Sequence, residues 1–454
     1  MNYSLLDKTI QTYIWLGIVL YVILLLFWKD SFTYYNVLNI FTFATYAFLL
    51  WMSANKPDEY YTNKRLGWTV FLYSLFFVGN YMYMCDYYMG NTFLFSEADA
   101  RQYEKLVNKL LYTPVETWIS IITNFGWDYD DWGAPISMAL IEKIIPSKLF
   151  LNLNFILMNT LNAIFLFNIG KSVMSRQYAY LASLTYAISS YSIFFMGCGL
   201  KEEILVFLVI FSIYMLYKYM EQRKWSYLVI GTISSILIVF FRPPITVFVW
   251  VTYIVMLLNG TKSNVIRSFF IIVILFVFAL AFNMMHYSVE RYAHGGDVTT
   301  SYMFVTTSLF QKMALYAGAL IGPFPQLLQV GEAISYKPIF GAGLLFKFLF
   351  FFAFWKGFIY AIKAKQVEVY PLFVFCLLEM VGLSIALDGL ELRKAMPHIP
   401  LFILAAFWFM DIYDEDVNEE VQLSSYNIWT NRQFVACTIF VFVATLVWNT
   451  LKII

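Results

Sequence analysis

Only 13% of the residues in this sequence are charged, yet carboxylates and cations gather in a few short motifs between apolar runs. They are S-E-A-D-A-R-Q-Y, with Glu97 and Asp99; W-D-Y-D-D-W-G-A-P, with Asp128, Asp130 and Asp131; and L-K-E-E, with Lys201, Glu202 and Glu203. Two more follow: F-F-R-P-P, with Arg242, and D-G-L-E-L-R-K-A-M-P-H-I-P, with Arg393, Lys394 and His398. Carboxylates and cations facing one another suit a reaction in which a hydroxyl loses its proton while an anionic leaving group is held. A carboxylate accepts the proton, and Arg or Lys clamps a phosphate. Moving a sugar from a lipid phosphate to a hydroxyl requires both parts.

Each motif also has an ordinary structural explanation. Glu97 and Asp99 could solvate an external helix, and acids at 202 and 203 in a first helical turn would complement the helix dipole. Arg242 beside two prolines could snorkel at a broken helix end, and Arg393 and Lys394 could be interfacial anchors. The aspartates at 128, 130 and 131 would suit a divalent cation such as Mg2+ or Mn2+ through oxygen ligands, or simply a solvated acidic loop. The three histidines read as surface groups, and Lys347 and Lys356, inside an apolar run, as snorkelling side chains.

The elements that must position these groups are set by composition. The chain has 454 residues, 61% of them apolar and 20% aromatic, with about half the roughly 25% charge of a soluble domain. Mean hydropathy is +0.67, so lipid is the main solvent and a water-soluble fold is excluded. A net charge of +1 gives no basic surface for nucleic acid. Four cysteines without paired spacing give neither a disulfide framework nor a zinc site.

Inside hydrocarbon, every backbone polar group must be satisfied within its own segment, so apolar runs of about 20 residues are helices. The expected fold is all-α and polytopic, with about 12 to 14 transmembrane helices. The clearest runs are 10–28, 33–53, 66–85, 149–170, 178–196, 204–219, 225–241, 245–258, 268–282, 341–362, 370–387, 400–410 and 434–451. The stretch 302–340 reads as a re-entrant or interfacial pair. The run 10–28 is expected to be a retained anchor and not a cleaved signal, because no small-residue cleavage site follows it.

Five alternate loops collect Lys56, Lys64 and Arg65; Lys171 and Arg176; Lys218, Arg223 and Lys224; Lys262 and Arg267; and Lys363 and Lys365. The positive-inside rule makes these loops cytoplasmic and the chemical motifs external. The organisation expected is one transmembrane domain over 1–454. Within it lie N-terminal spans at 1–85, an external acidic loop with interfacial helices at 86–148 and core spans at 149–410. A cytoplasmic acidic loop at 411–432 and a last span at 433–454 complete it.

In this order the motifs resemble those of the GT-C superfamily of integral-membrane glycosyltransferases, which includes protein O-mannosyltransferases and bacterial aminoarabinose transferases. The resemblance rests on D-A-R-Q-Y (Asp99, Ala100, Arg101, Gln102, Tyr103) in the first large external loop, on K-E-E, on F-R-P-P and on the late R-K-A-M-P-H-I-P-L (Arg393 to Leu401). It implies that Asp99 is the general base or acceptor-positioning carboxylate. It further implies that Arg242 and Arg393, helped by Lys201, bind the donor phosphate. Glu97, Asp131 and Glu202 would position the acceptor or a divalent metal. The expected activity is transfer of a hexosyl or pentosyl group, with inversion, from a polyprenyl-phosphate-sugar donor to a glycan, lipid or protein acceptor. The expected setting is a bacterial inner membrane with the site on the periplasmic side, in cell-envelope polysaccharide synthesis. A polymerase or ligase using a lipid-diphosphate donor, and a transporter or lipid flippase, remain as alternatives.

Overall fold

The computed structural model describes residues 4–27, 33–90, 93, 98–126, 129–259, 324–329, 335–385, 392–418 and 424–451. Among these residues the protein is all helical and no strand forms. Its N-terminal part comprises α1 (Leu5–Phe27), α2 (Tyr34–Ser53) and α3 (Asn63–Met89). Short helices follow: α4 (Ala98–Leu111), α5 (Trp118–Asn124) and α6 (Gly133–Ile144). The central part holds α7 (Lys148–Gly170), α8 (Arg176–Ala187), α9 (Ser190–Gly197), α10 (Glu202–Gln222), α11 (Trp225–Leu237) and α12 (Pro243–Asn259). The last part holds α13 (Gly341–Leu349), α14 (Phe351–Ala364), α15 (Tyr370–Ile385), the single turn α16 (Leu392–Ala395), α17 (Ile399–Asn418) and α18 (Ser424–Leu451).

Six helical segments among the described residues are long and apolar enough to cross a membrane: Leu5–Leu26, Tyr34–Ser53, Lys148–Gly170, Glu202–Gln222, Lys337–Ala364 and Arg432–Thr450. A seventh arises if α8 and α9, bent by 50° at their junction, form one span. Trp225–Phe240 and Pro243–Leu258 are apolar but shorter. The expected span at 268–282 lies outside the described residues, as does 302–340 apart from 324–329 and 335–340. Large apolar side chains such as Trp15, Leu26, Trp51, Leu72, Leu149 and Trp225 are exposed along the outer faces of the bundle. Apolar surface of that extent suits contact with lipid tails, so the chain is a helical membrane protein.

The basic loops at 56–65, 171–176, 218–224 and 363–365 converge on one end of the bundle, while the loop with Lys262 and Arg267 lies outside the described residues. Asn63 at the start of α3 donates to Asn168 Oδ1 near the end of α7 at 3.4 Å, and Arg176 at the start of α8 pairs with Asp58 at 3.5 Å. Tyr217, in the last turns of α10, donates to the Glu368 carbonyl at 2.7 Å. The other end gathers the start of α10, the start of α12 and the start of α17. Along the 21 residues of α10 the two ends are about 30 Å apart at 1.5 Å per residue.

The acidic stretch 411–432 is not the loop expected. α17 continues through Asn418, and α18 resumes at Ser424. Asp411 accepts hydrogen bonds from Ser175 N at 2.6 Å and Ser175 Oγ at 2.8 Å, while Asp414 accepts from Leu5 N at 2.6 Å, Leu6 N at 3.4 Å and the Tyr178 hydroxyl. The first N–H groups of a helix have no partner within it. These two buried carboxylates therefore cap α8 and α1 from a third helix, at the basic end of the bundle. Asp414→Ala should lower stability by about 1.5–3 kcal/mol, the range for hydrogen bonds to a charged group. Denaturant unfolding in detergent checks this; an unchanged midpoint would mean the contacts contribute nothing.

Two further expectations are corrected. Lys347 does not snorkel: it is 3% exposed, with its ammonium 5.5 Å from the centre of the Phe402 ring. His398 is not a surface group but is buried at 1% exposure, its Nδ1 3.5 Å from Glu379 Oε2.

Candidate functional site

At the end opposite the basic loops, a short acid–base chain runs across four elements. Asp99 lies in the first turn of α4, where a carboxylate complements the helix dipole. Its Oδ2 is 2.6 Å from Arg393 NH1. Arg393, on the single turn α16, uses its Nε to donate to Glu202 Oε1 at 2.7 Å. Arg242 NH2 reaches the same oxygen at 3.4 Å, and Arg242 NH1 donates to the Lys394 carbonyl at 3.4 Å. One buried carboxylate oxygen thus holds two guanidinium groups side by side.

The placement of Arg242 follows from the two prolines after it. Pro243 opens α12, where its missing N–H would have had no helical partner and its fixed φ already suits a helix. The chain before it closes as a 3-10 turn over Ile238–Phe240, with Arg242 N donating to Ile238 O at 2.9 Å. Arg242 is left at the joint between the two, with its side chain turned to the start of α10.

Lys201 and Glu202 are aimed by the turn between α9 and α10. Gly199 has φ +69°, and a Cβ there would stand 3.0 Å from the Phe93 ring. Left-handed backbone costs other L-residues roughly 1–2 kcal/mol, so Gly199→Ala should lower stability by about that amount. Thermal unfolding of the purified variant is the check, and a variant as stable as the parent would remove this account of the turn. Beyond the turn, Lys201 Nζ pairs with Asp131 and donates to the Phe241 carbonyl at 2.9 Å. A Cβ at Gly133 would come within 2.5 Å of the Phe241 ring, so the first glycine of α6 allows that ring to close over it.

Exposure grades along the chain. The Asp99 side chain is 43% exposed, Arg393 25%, Arg242 19% and Glu202 0%. Burial alone would lower the Arg393 pKa, but the charges of Glu202 and Asp99 outweigh it and raise it, so the guanidinium stays ionised. Tyr103 lies one helical turn after Asp99 and is 2% exposed. Burial, then the charges of Asp131 and Glu202, hold its phenol well above the usual tyrosine range, so it remains a hydroxyl.

Asp99, Lys201, Glu202, Arg242, Arg393 and Asp131 therefore meet at one end of the bundle, although they are spread from residue 99 to 393. Glu97 lies outside the described residues, as does Asp128. Glu202 sits behind the two guanidinium groups, where it meets them and not the aqueous side. Asp131 faces the Lys201 ammonium, a poor arrangement for a divalent cation, and no group of three or more His, Cys, Asp or Glu side chains suited to a metal forms among the described residues.

Two features escaped sequence reasoning. Tyr103 was legible only as part of D-A-R-Q-Y. Glu379 carries its own signal in the sequence, as a lone acid in the apolar run of α15, the kind of intramembrane ionisable residue that marks a role. It is 1% exposed, and neither carboxylate oxygen has a hydrogen-bond partner among the described residues. No protein-family model matches the chain, and no curated protein matches it.

Proposed function

We propose that the protein is a membrane glycosyltransferase of GT-C type that moves a sugar from a polyprenyl-phosphate-linked donor to an acceptor on the external side. The observation that carries the reading is the chain Asp99–Arg393–Glu202–Arg242, lying at the end of the bundle opposite the Lys- and Arg-rich loops. If those loops are cytoplasmic, the chain meets the external interface, where a lipid phosphate and a water-borne acceptor can be reached together. The membrane proposed is the bacterial inner membrane, with 12 to 14 spans in all.

In the proposed reaction, Asp99 takes the proton of the acceptor hydroxyl as that oxygen bonds to the anomeric carbon. The bond from that carbon to the phosphate oxygen breaks on the opposite face, and its electron pair leaves with the polyprenyl phosphate. Arg393 and Arg242 stabilise the departing charge, which forked guanidinium groups suit better than a point charge. Glu202 positions both arginines from behind. Lys201 ties the start of α10 to Asp131 and to the Phe241 carbonyl, and so fixes the base of the site. Tyr103, kept as a hydroxyl, supplies a donor beside the same charges.

A second reading has observations of its own. The bent α8–α9 junction and the buried Lys347, Glu379 and His398 are features expected of a transporter. Reconstitution into vesicles with a polyprenyl-phosphate sugar, a polyprenyl-diphosphate saccharide or neither separates the possibilities. The proposed reading expects a covalent sugar product on the external side that depends on the polyprenyl-phosphate sugar, whereas product formed only from the diphosphate donor would favour a polymerase or ligase. Movement of substrate across the bilayer without any covalent product would overturn it in favour of transport.

A further inference from the structure

The structure points to a buried binding site for one small monovalent cation, which we propose is Na+, at the break between α8 and α9 and next to the first turn of α10. It does not depend on the transfer chemistry. Glu203 is wholly buried. Asn162 Nδ2 donates to its Oε1 at 3.3 Å, whereas Oε2 has no partner, and no cation pairs with this carboxylate among the described residues. Asn162 Oδ1 is likewise unpartnered and buried.

The same pattern extends to the helix break. Asn159, one turn before Asn162 on α7, donates its amide to the Ala187 carbonyl at 2.8 Å, which leaves its own Oδ1 without a partner. The wholly buried Tyr186, next to Ala187 at the end of α8, faces Glu203, Asn162 and Ser192. Glu203 Oε2, Asn162 Oδ1 and Asn159 Oδ1 are all acceptors, and the Nδ2 groups of both asparagines are already committed. Burying such acceptors unpaired is unfavourable, so a group of them calls for a shared partner.

A cation satisfies several oxygens at once, and one carboxylate balances one positive charge. Alkali cations in membrane proteins are held where a helix is broken, because the C-terminal carbonyls of the first half present negative dipole ends. α8 ends at Ala187 and α9 starts at Ser190, with a 50° bend between them. A cation here would tie α7, the α8–α9 break and the first turn of α10 together.

The test uses the full chain in lipid nanodiscs, with thermal unfolding in NaCl against choline chloride at equal ionic strength. Bound Na+ should raise the unfolding temperature in step with the logarithm of its concentration, by about 2–4 °C or more between trace and saturating salt. Radiolabelled Na+ should bind saturably to the parent protein and weakly or not at all to Glu203→Gln. The latter should unfold at the same temperature in both salts. Identical parent unfolding in the two salts, together with no saturable Na+ binding, would overturn the proposal and leave Glu203 as a protonated, neutral side chain. The parent measurements decide the matter even if Glu203→Gln does not fold.

Discussion

Asp99→Asn is expected to reduce sugar transfer by about 10²- to 10⁴-fold, the contribution typical of a positioned general base. The substitution keeps the shape of the side chain and removes both its charge and its capacity to take the acceptor proton. It should leave the fold intact, because Asp99 is 43% exposed and an exposed pairing such as that with Arg393 contributes about 0–1 kcal/mol. The two readouts are initial rates with a polyprenyl-phosphate sugar in proteoliposomes and the unfolding midpoint of the same preparation. A variant that turns over at the parent rate would take Asp99 out of the mechanism. One that is inactive only because it has unfolded would say nothing for catalysis, which is why both are measured on one sample.

The second large effect concerns stability. Arg393→Ala removes the closest partner of a carboxylate that is 0% exposed, leaving Glu202 with Arg242 at 3.4 Å. Breaking a buried pair from one side costs about 3–5 kcal/mol, because the surviving charge stays away from water. The double variant Arg393→Ala with Glu202→Gln should recover part of that loss, since the stranded charge is then gone. A double-mutant cycle isolates this coupling. Strictly additive effects would mean that Glu202 is stabilised by something other than the guanidinium of Arg393.

The helical class and the separation of charge between two ends could be read from the sequence, because both rest on simple rules. Hydrocarbon forces apolar runs into helices, and Lys and Arg collect in alternate loops. The meeting of Asp99 with Arg393 was not readable in the same way. The loop charges put both on the external side and the resemblance gives each a role, but the 2.6 Å contact depends on how α4 and α16 pack, which no local pattern encodes. Asp411 and Asp414 show the opposite failure. Acids following an apolar run read as a solvated loop, and only the neighbouring helix starts at Leu5 and Ser175 explain why they are buried. Lys347 and His398 misled for a related reason. The default of reaching for water gives way where ring faces and a carboxylate are closer than the interface.

The cap that Asp414 places on Leu5 joins residues 409 positions apart. A ribosome adding about 5–20 residues per second would need roughly 20–80 s to make the segment between them. For that interval the first helix must wait in the bilayer with its leading amides turned to water or to a temporary partner. Biogenesis therefore leaves α1 unlocked until α17, made long after it, arrives beside it.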